Sequence, residues 1–83
     1  MYQVILSKKI LKLLITINEP YYSAIKIAIQ NLSKNPRPMG YKKLKGKSTY
    51  RIRVGDYRVI YDILNEILVI EVVDVGHRKN IYM

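Results

Sequence analysis

The sequence predicts an α+β domain in which a pair of short helices covers one face of a small sheet. Three observations carry that reading. In the first half, apolar residues recur at helical spacing: Ile10, Leu11, Leu14 and Ile17, then Tyr21, Ile25, Ala28, Ile29 and Leu32. In the second half they alternate, as in Tyr50, Ile52 and Val54 against Thr49, Arg51 and Arg53. Between the halves lies "NPRPMG", residues 35–40, whose prolines cannot continue a helix. The 83 residues suit one domain spanning 1–83, and 49% apolar residues suffice for a core.

The elements follow in order. "YQVIL", residues 2–6, reads as a short strand. Ser7 is a good N-cap for a helix over about 8–17, with Lys8, Lys9 and Lys12 toward water. Asn18 can cap the second helix, with Glu19 and Pro20 in its first turn. The short connection makes the two helices an antiparallel hairpin. Strands are expected at about 48–54, 57–64 and 67–75, joined by turns at Gly55-Asp56 and Asn65-Glu66. In the middle one Tyr57, Val59, Tyr61 and Ile63 take the apolar side, and Arg58, Ile60 and Asp62 the polar side. Run 67–75 is apolar on both faces apart from Glu71 and Asp74, so it belongs in the centre of the sheet. These three strands form an antiparallel sheet. The N-terminal strand adds to it, giving a small mixed or antiparallel sheet of about four strands.

Composition narrows the function. The chain has no cysteine, which excludes a disulfide framework and a thiolate metal site. It shows neither a signal-peptide pattern nor an apolar run of the roughly 20 residues a membrane span needs, so a cytoplasmic protein without a membrane partner is expected. The net charge is +9 and it is concentrated. Residues 42–58 carry Lys42, Lys43, Lys45, Lys47, Arg51, Arg53 and Arg58 against Asp56 alone. Residues 59–75 carry four acids and no base. A basic block of this density inside a folding domain is an electrostatic footprint for a polyanion, and the four lysines are candidate RNA contacts. All eight aromatics are tyrosine, a side chain that fills cores and also stacks on bases.

The stretch "YRIRVGDYR", residues 50–58, sharpens the point. A two-residue turn at Gly55-Asp56 sets Arg53 directly opposite Arg58, with Arg51 on the same face. Opposed residues sit about 5 Å apart, and like charges so placed destabilise a sheet. A phosphate diester relieves the repulsion, because each guanidinium can give its oxygens two parallel hydrogen bonds. Asp62 and Glu71 suffice to neutralise one arginine but not three. The ending "VGHRKNIYM" adds His77, Arg78 and Tyr82. A histidine, a tyrosine and several arginines suit RNA cleavage without a metal. That reaction needs a base for the 2′-OH, an acid for the leaving 5′-oxygen, and cations for the phosphorane. One histidine and no cysteine argue against zinc, and no phosphate loop, carboxylate pair or Ser/His/Asp triad is visible. No metal and no cofactor is expected.

The run "KLKG…YRIRVGDYRVIYDI…VVDVGHRKNIY", from Lys43 to Tyr82, resembles the RelE/ParE superfamily of toxins, and its RelE branch most closely. The resemblance implies a ribosome-dependent messenger-RNA endonuclease that cuts the codon in the A site. The 2′-OH would attack the adjacent phosphate and leave a 2′,3′-cyclic phosphate and a 5′-OH. It also implies a RelB-type antitoxin and a toxin–antitoxin hetero-oligomer, with the ribosome and messenger RNA as the other partners. By the same resemblance Arg51, Arg53, Arg58, His77, Arg78 and Tyr82 form the catalytic set. Some RelE toxins have lysine where this chain has Arg51 and Arg53. Arginine stays protonated, with a pKa above about 12, so acid–base work passes to Tyr82 and His77, in either order. A ParE-like gyrase inhibitor that does not cut RNA is the alternative. An inactive basic nucleic-acid-binding domain is the third reading.

Overall fold

Ser7 ends the first strand and starts the first helix. The computed structural model describes residues 1–44 and 48–77; in it strand β1 (Gln3–Leu6) runs directly into helix α1 (Lys8–Leu14). The Ser7 hydroxyl accepts the Ile10 N–H at 3.2 Å, which satisfies one of the donors a helix start leaves unpaired. Helix α1 stops short of the predicted residue 17. There the N–H groups of Thr16 and Ile17 bond to the carbonyls of Leu13 and Leu14, and such three-residue spacing tightens and closes the last turn. Helix α2 (Tyr21–Asn31) also starts later than an Asn18 cap predicts. Asn18 contributes its backbone carbonyl, which accepts from Tyr21 and Tyr22. Glu19 does the side-chain work: its carboxylate accepts the Ser23 hydroxyl at 2.6 Å and the Ser23 N–H at 3.0 Å. Those bonds hold the Glu19 carboxyl below its usual value.

Five strands form one mixed sheet in the order β1-β5-β4-β3-β2. The others are β2 (Lys42–Lys43), β3 (Thr49–Val54), β4 (Tyr57–Leu64) and β5 (Val69–His77). Only the β1–β5 pair is parallel. β2 is one strand more than the sequence announces, since two lysines show no alternation. β5 does lie centrally, between β1 and β4, but it begins at Val69 rather than 67. Residues 65–68 form a four-residue turn with Leu68 at φ 54, and Ile67 and Leu68 are exposed there. Within β5 a bulge sits at Val73: Tyr61 pairs with Val72 and Ile60 with Asp74, which leaves Val73 without an opposite number.

Both helices pack on the same face. Helix α1 lies over β5 and β1, and α2 over β3 and β4. Ile10, Leu14, Ile25, Ile29 and Leu32 meet Tyr50, Ile52, Val59, Tyr61, Ile63, Ile70, Val72 and Val75 in one core. Tyr21 departs from its predicted place in the buried stripe and is 40% exposed. Its ring packs on Tyr57, with centroids 5.3 Å apart, and over Gly55. Gly55 has φ +60, as a hairpin turn led by glycine requires, and a Cβ there would come within 3.1 Å of the Tyr21 ring.

Tyr61 is fully buried and its hydroxyl donates to the Pro36 carbonyl at 2.6 Å, which ties the proline-rich loop to the sheet. Burial pushes the Tyr61 phenol up to about 12. The sign of the resulting pH dependence follows. Below the unfolded value of about 10 the phenol is protonated whether the chain is folded or not. As pH rises from there toward about 12, the unfolded chain ionises first, so stability falls across that window. Denaturant midpoints measured between pH 9 and about 12 are expected to drop less steeply for Tyr61→Phe than for the parent chain.

Candidate nucleic-acid interface

Thr49, Arg51 and Arg53 alternate with the core residues of β3, so they project from the face the helices leave uncovered. The register puts Arg53 opposite Arg58, as the turn predicts, and Arg51 opposite Ile60. On the other side of β3, Lys42 lies opposite Arg51 and joins the same face. Lys43 lies opposite Tyr50 and therefore belongs to the helix side, at its exposed edge. Gly76 is the β5 residue opposite Arg58, so the directly paired position on β5 brings no side chain to that arginine.

The Nε atoms of Arg51 and Arg58 are buried and have no hydrogen-bond partner among the described residues. A buried donor left unpaired costs about 1–3 kcal/mol. Burial lowers the Arg51 pKa from its ordinary value, and the charges of Arg58 and Arg53 lower it further. The buried Nε atoms set the arginine stems down against the sheet, on the face where Ile60 is wholly buried. Two of the acids of this face accept hydrogen bonds from uncharged donors. Asp62 accepts the Thr49 hydroxyl at 2.5 Å, Asp74 accepts the Val75 N–H at 2.9 Å, and Glu71 is exposed opposite Asp62. Asp62, Asp74 and Glu71 share this face, but Lys42, Arg51, Arg53 and Arg58 outnumber them, so among the described residues it keeps a net positive charge and unpaired guanidinium donors.

His77 is not brought onto that face. It pairs with Tyr57, and its ring stands edge-on to the Tyr57 ring with centroids 5.6 Å apart, on the helix side of the sheet. The bulge is the reason. Counting by twos from Ile70 and Val72 puts residue 76 with the core and residue 77 with the arginines. The extra residue Val73 shifts the phase by one, so Val75 enters the core and His77 follows it. Lys45, Lys47, Arg78 and Tyr82 lie outside the described residues.

A family model described as ParE toxin of type II toxin-antitoxin system, parDE, matches residues 4–82. The chain belongs to this family. Solved structures agree on the RelE/ParE superfamily. The chain is similar to the archaeal RelE–RelB complex from Pyrococcus horikoshii OT3, with 29% identity and a TM-score of 0.84 over 96% of this chain and 98% of that one. It is similar to the RelBE2 toxin–antitoxin complex from Mycobacterium tuberculosis, with 26% identity and a TM-score of 0.76 over 93% and 98%. The isolated E. coli RelE toxin shares the fold, at 22% identity and a TM-score of 0.80 over 93% and 84%. A comparison with curated protein sequences finds no match.

The toxin carries one further cation that sequence reasoning overlooks. Arg37 of the proline-rich loop stands 5.2 Å over the Tyr50 ring and donates to the Tyr50 hydroxyl at 3.2 Å. That bond raises its pKa. Tyr50 stacks in turn on Tyr61 and neighbours Tyr41, so a row of tyrosines crosses β4, β3 and the segment before β2. The signal in the sequence was the lone arginine between two prolines, which alternation and helical spacing do not weigh.

Proposed function

We propose that this toxin is a ribosome-dependent messenger-RNA endonuclease acting in the cytoplasm on the codon in the A site. The observation that carries the reading is the trio Arg51, Arg53 and Arg58 on one open face, with two buried guanidinium donors that lack partners among the described residues. These arginines, joined by Arg78, bind the scissile phosphate and stabilise the charge that develops as the 2′-OH attacks it. Cleavage leaves a 2′,3′-cyclic phosphate and a 5′-OH. Lys42, Lys43, Lys45 and Lys47 follow the RNA backbone. Tyr82 and His77 supply acid and base. With His77 turned toward Tyr57, the larger share falls to Tyr82. So small an acid–base set needs a substrate already held for in-line attack, and the ribosome provides that order. No cofactor is needed. The relatives from Pyrococcus horikoshii and Mycobacterium tuberculosis are toxin–antitoxin complexes, and a RelB-type antitoxin bound to this chain in a hetero-oligomer is the corresponding proposal.

The family model's ParE description favours a second reading, a gyrase inhibitor that leaves RNA intact. One pair of assays separates the two. Primer extension on a messenger in a translating extract is expected to show new 5′ ends within codons, whereas the same messenger without ribosomes stays whole. DNA supercoiling by gyrase is expected to proceed normally. Inhibited supercoiling with uncut messenger would reverse the assignment. In the same extract Tyr82→Phe is expected to lower the cleavage rate by about 10²–10⁴, the range of general acid–base catalysis. Full activity in that variant would pass the role to His77.

A further inference from the structure

Beyond Lys42 the edge of β3 pairs with no strand among the described residues. The register fixes which backbone groups face that edge. The Ile63 N–H bonds to Ser48 and the Leu44 N–H to Thr49, so even-numbered residues of β3 turn their main-chain groups to β4 and odd-numbered ones to β2. Arg51 meets Lys42. Arg53 comes next and meets no strand, and no described residue's backbone pairs with its N–H or C=O. The chain bends away here, with Gly40 at φ +89. A groove of about 380 Å³ is left, lined by Ala28 and Asn31 of α2, by Pro38 and Met39, and by Ile52 and Arg53.

Resting on the RNA reading above, we infer that this groove holds a nucleobase adjoining the phosphate bound on the arginine face. Arg53 belongs to both places: its side chain projects with Arg51 and Arg58, its main-chain groups face the edge beyond β2, and the residue lines the groove. Every base carries a hydrogen-bond donor and acceptor side by side on an edge, and a strand residue offers the matching pair. Asn31, on α2, lines the same groove and its side-chain amide carries a donor and an acceptor. Ala28, Pro38, Met39 and Ile52 supply apolar surface for a flat ring. A protein strand fits less well. It needs a run of exposed pairs, and Arg53 is the only odd-numbered β3 residue left before the turn at Gly55. Continuity with the cationic face also favours a nucleic acid.

The test uses the free chain with a hexaribonucleotide made uncleavable by 2′-O-methylation, alongside an abasic hexamer of the same charge. In nitrogen-correlated NMR spectra the hexanucleotide is expected to shift the Arg53 main-chain amide and the Asn31 side-chain amide. The abasic hexamer is expected to shift only arginine Nε–H signals. Asn31→Ala is expected to weaken hexanucleotide binding about three- to tenfold, the effect of a lost hydrogen bond or so, and to leave abasic binding unchanged. The inference is overturned if neither amide responds to the hexanucleotide, or if both respond equally to the abasic one. It is also overturned if both respond to an acidic peptide and not to RNA. None of these results bears on cleavage in the translating extract, so the endonuclease reading stands or falls separately.

Discussion

Arg51→Ala and Arg58→Ala are each expected to abolish growth arrest and to lower messenger cleavage by at least about 10²–10³, the loss seen when one preorganised charge-stabilising donor is removed. Both side chains bury an Nε that finds no partner among the described residues, and both sit within a like-charged cluster. The fold spends energy to hold them there. Thermal denaturation of the purified variants should therefore show a midpoint equal to or above that of the parent chain. Lost activity with unchanged or raised stability is the signature of a site that the fold carries at its own expense. A variant that melts early and loses activity would reduce these arginines to packing residues. A folded Arg58→Ala variant that still arrests growth would remove that residue from the site.

Ile60→Ala is expected to have the largest effect on stability, about 2–5 kcal/mol, the range for emptying a buried isoleucine position. Ile60 is wholly buried, yet it lies on the arginine face rather than in the core beneath the helices. Arg51 is opposite it and Arg58 two residues before it. For a domain of this size each kcal/mol moves the midpoint by about 4–8 °C. Ile15→Ala is the control: Ile15 is 75% exposed, and its loss should stay within about 0.5 kcal/mol. Because the arginine stems rest on the surface that Ile60 helps to build, the variant should also weaken RNA binding at temperatures where it remains folded.

Much of the arrangement was legible in the chain, for reasons that can be named. Ile10, Leu14, Ile25, Ile29 and Leu32 declare themselves by spacing, and all five are buried. The turn at Gly55-Asp56 fixes the pairing of Val54 with Tyr57, and with it the opposition of Arg53 and Arg58. Other features were hidden because they depend on what lies across space. A two-residue strand such as β2 has no period to read. Alternation assigns Ile60 to a face but does not say whether long neighbours will cover it. The bulge at Val73 leaves no mark in a run of valines and isoleucines, and it alone decides which side of the sheet His77 joins. The Arg37–Tyr50 contact links residues that no short-range rule connects.

The one parallel pairing in the sheet has a consequence for the order of events during synthesis. Gln3 pairs with Val69 and Leu6 with Val72, so β1 waits for β5 before it has a neighbour. Bringing together segments so distant along the chain is a slow, late step in folding. A growing chain that has emerged only as far as the arginine hairpin has its cations but not the central strand that both β1 and β4 need. The charged face is then presented on an incomplete platform. A sheet built this way completes the support of its charged face only when β5 has joined β4 on one side and β1 on the other.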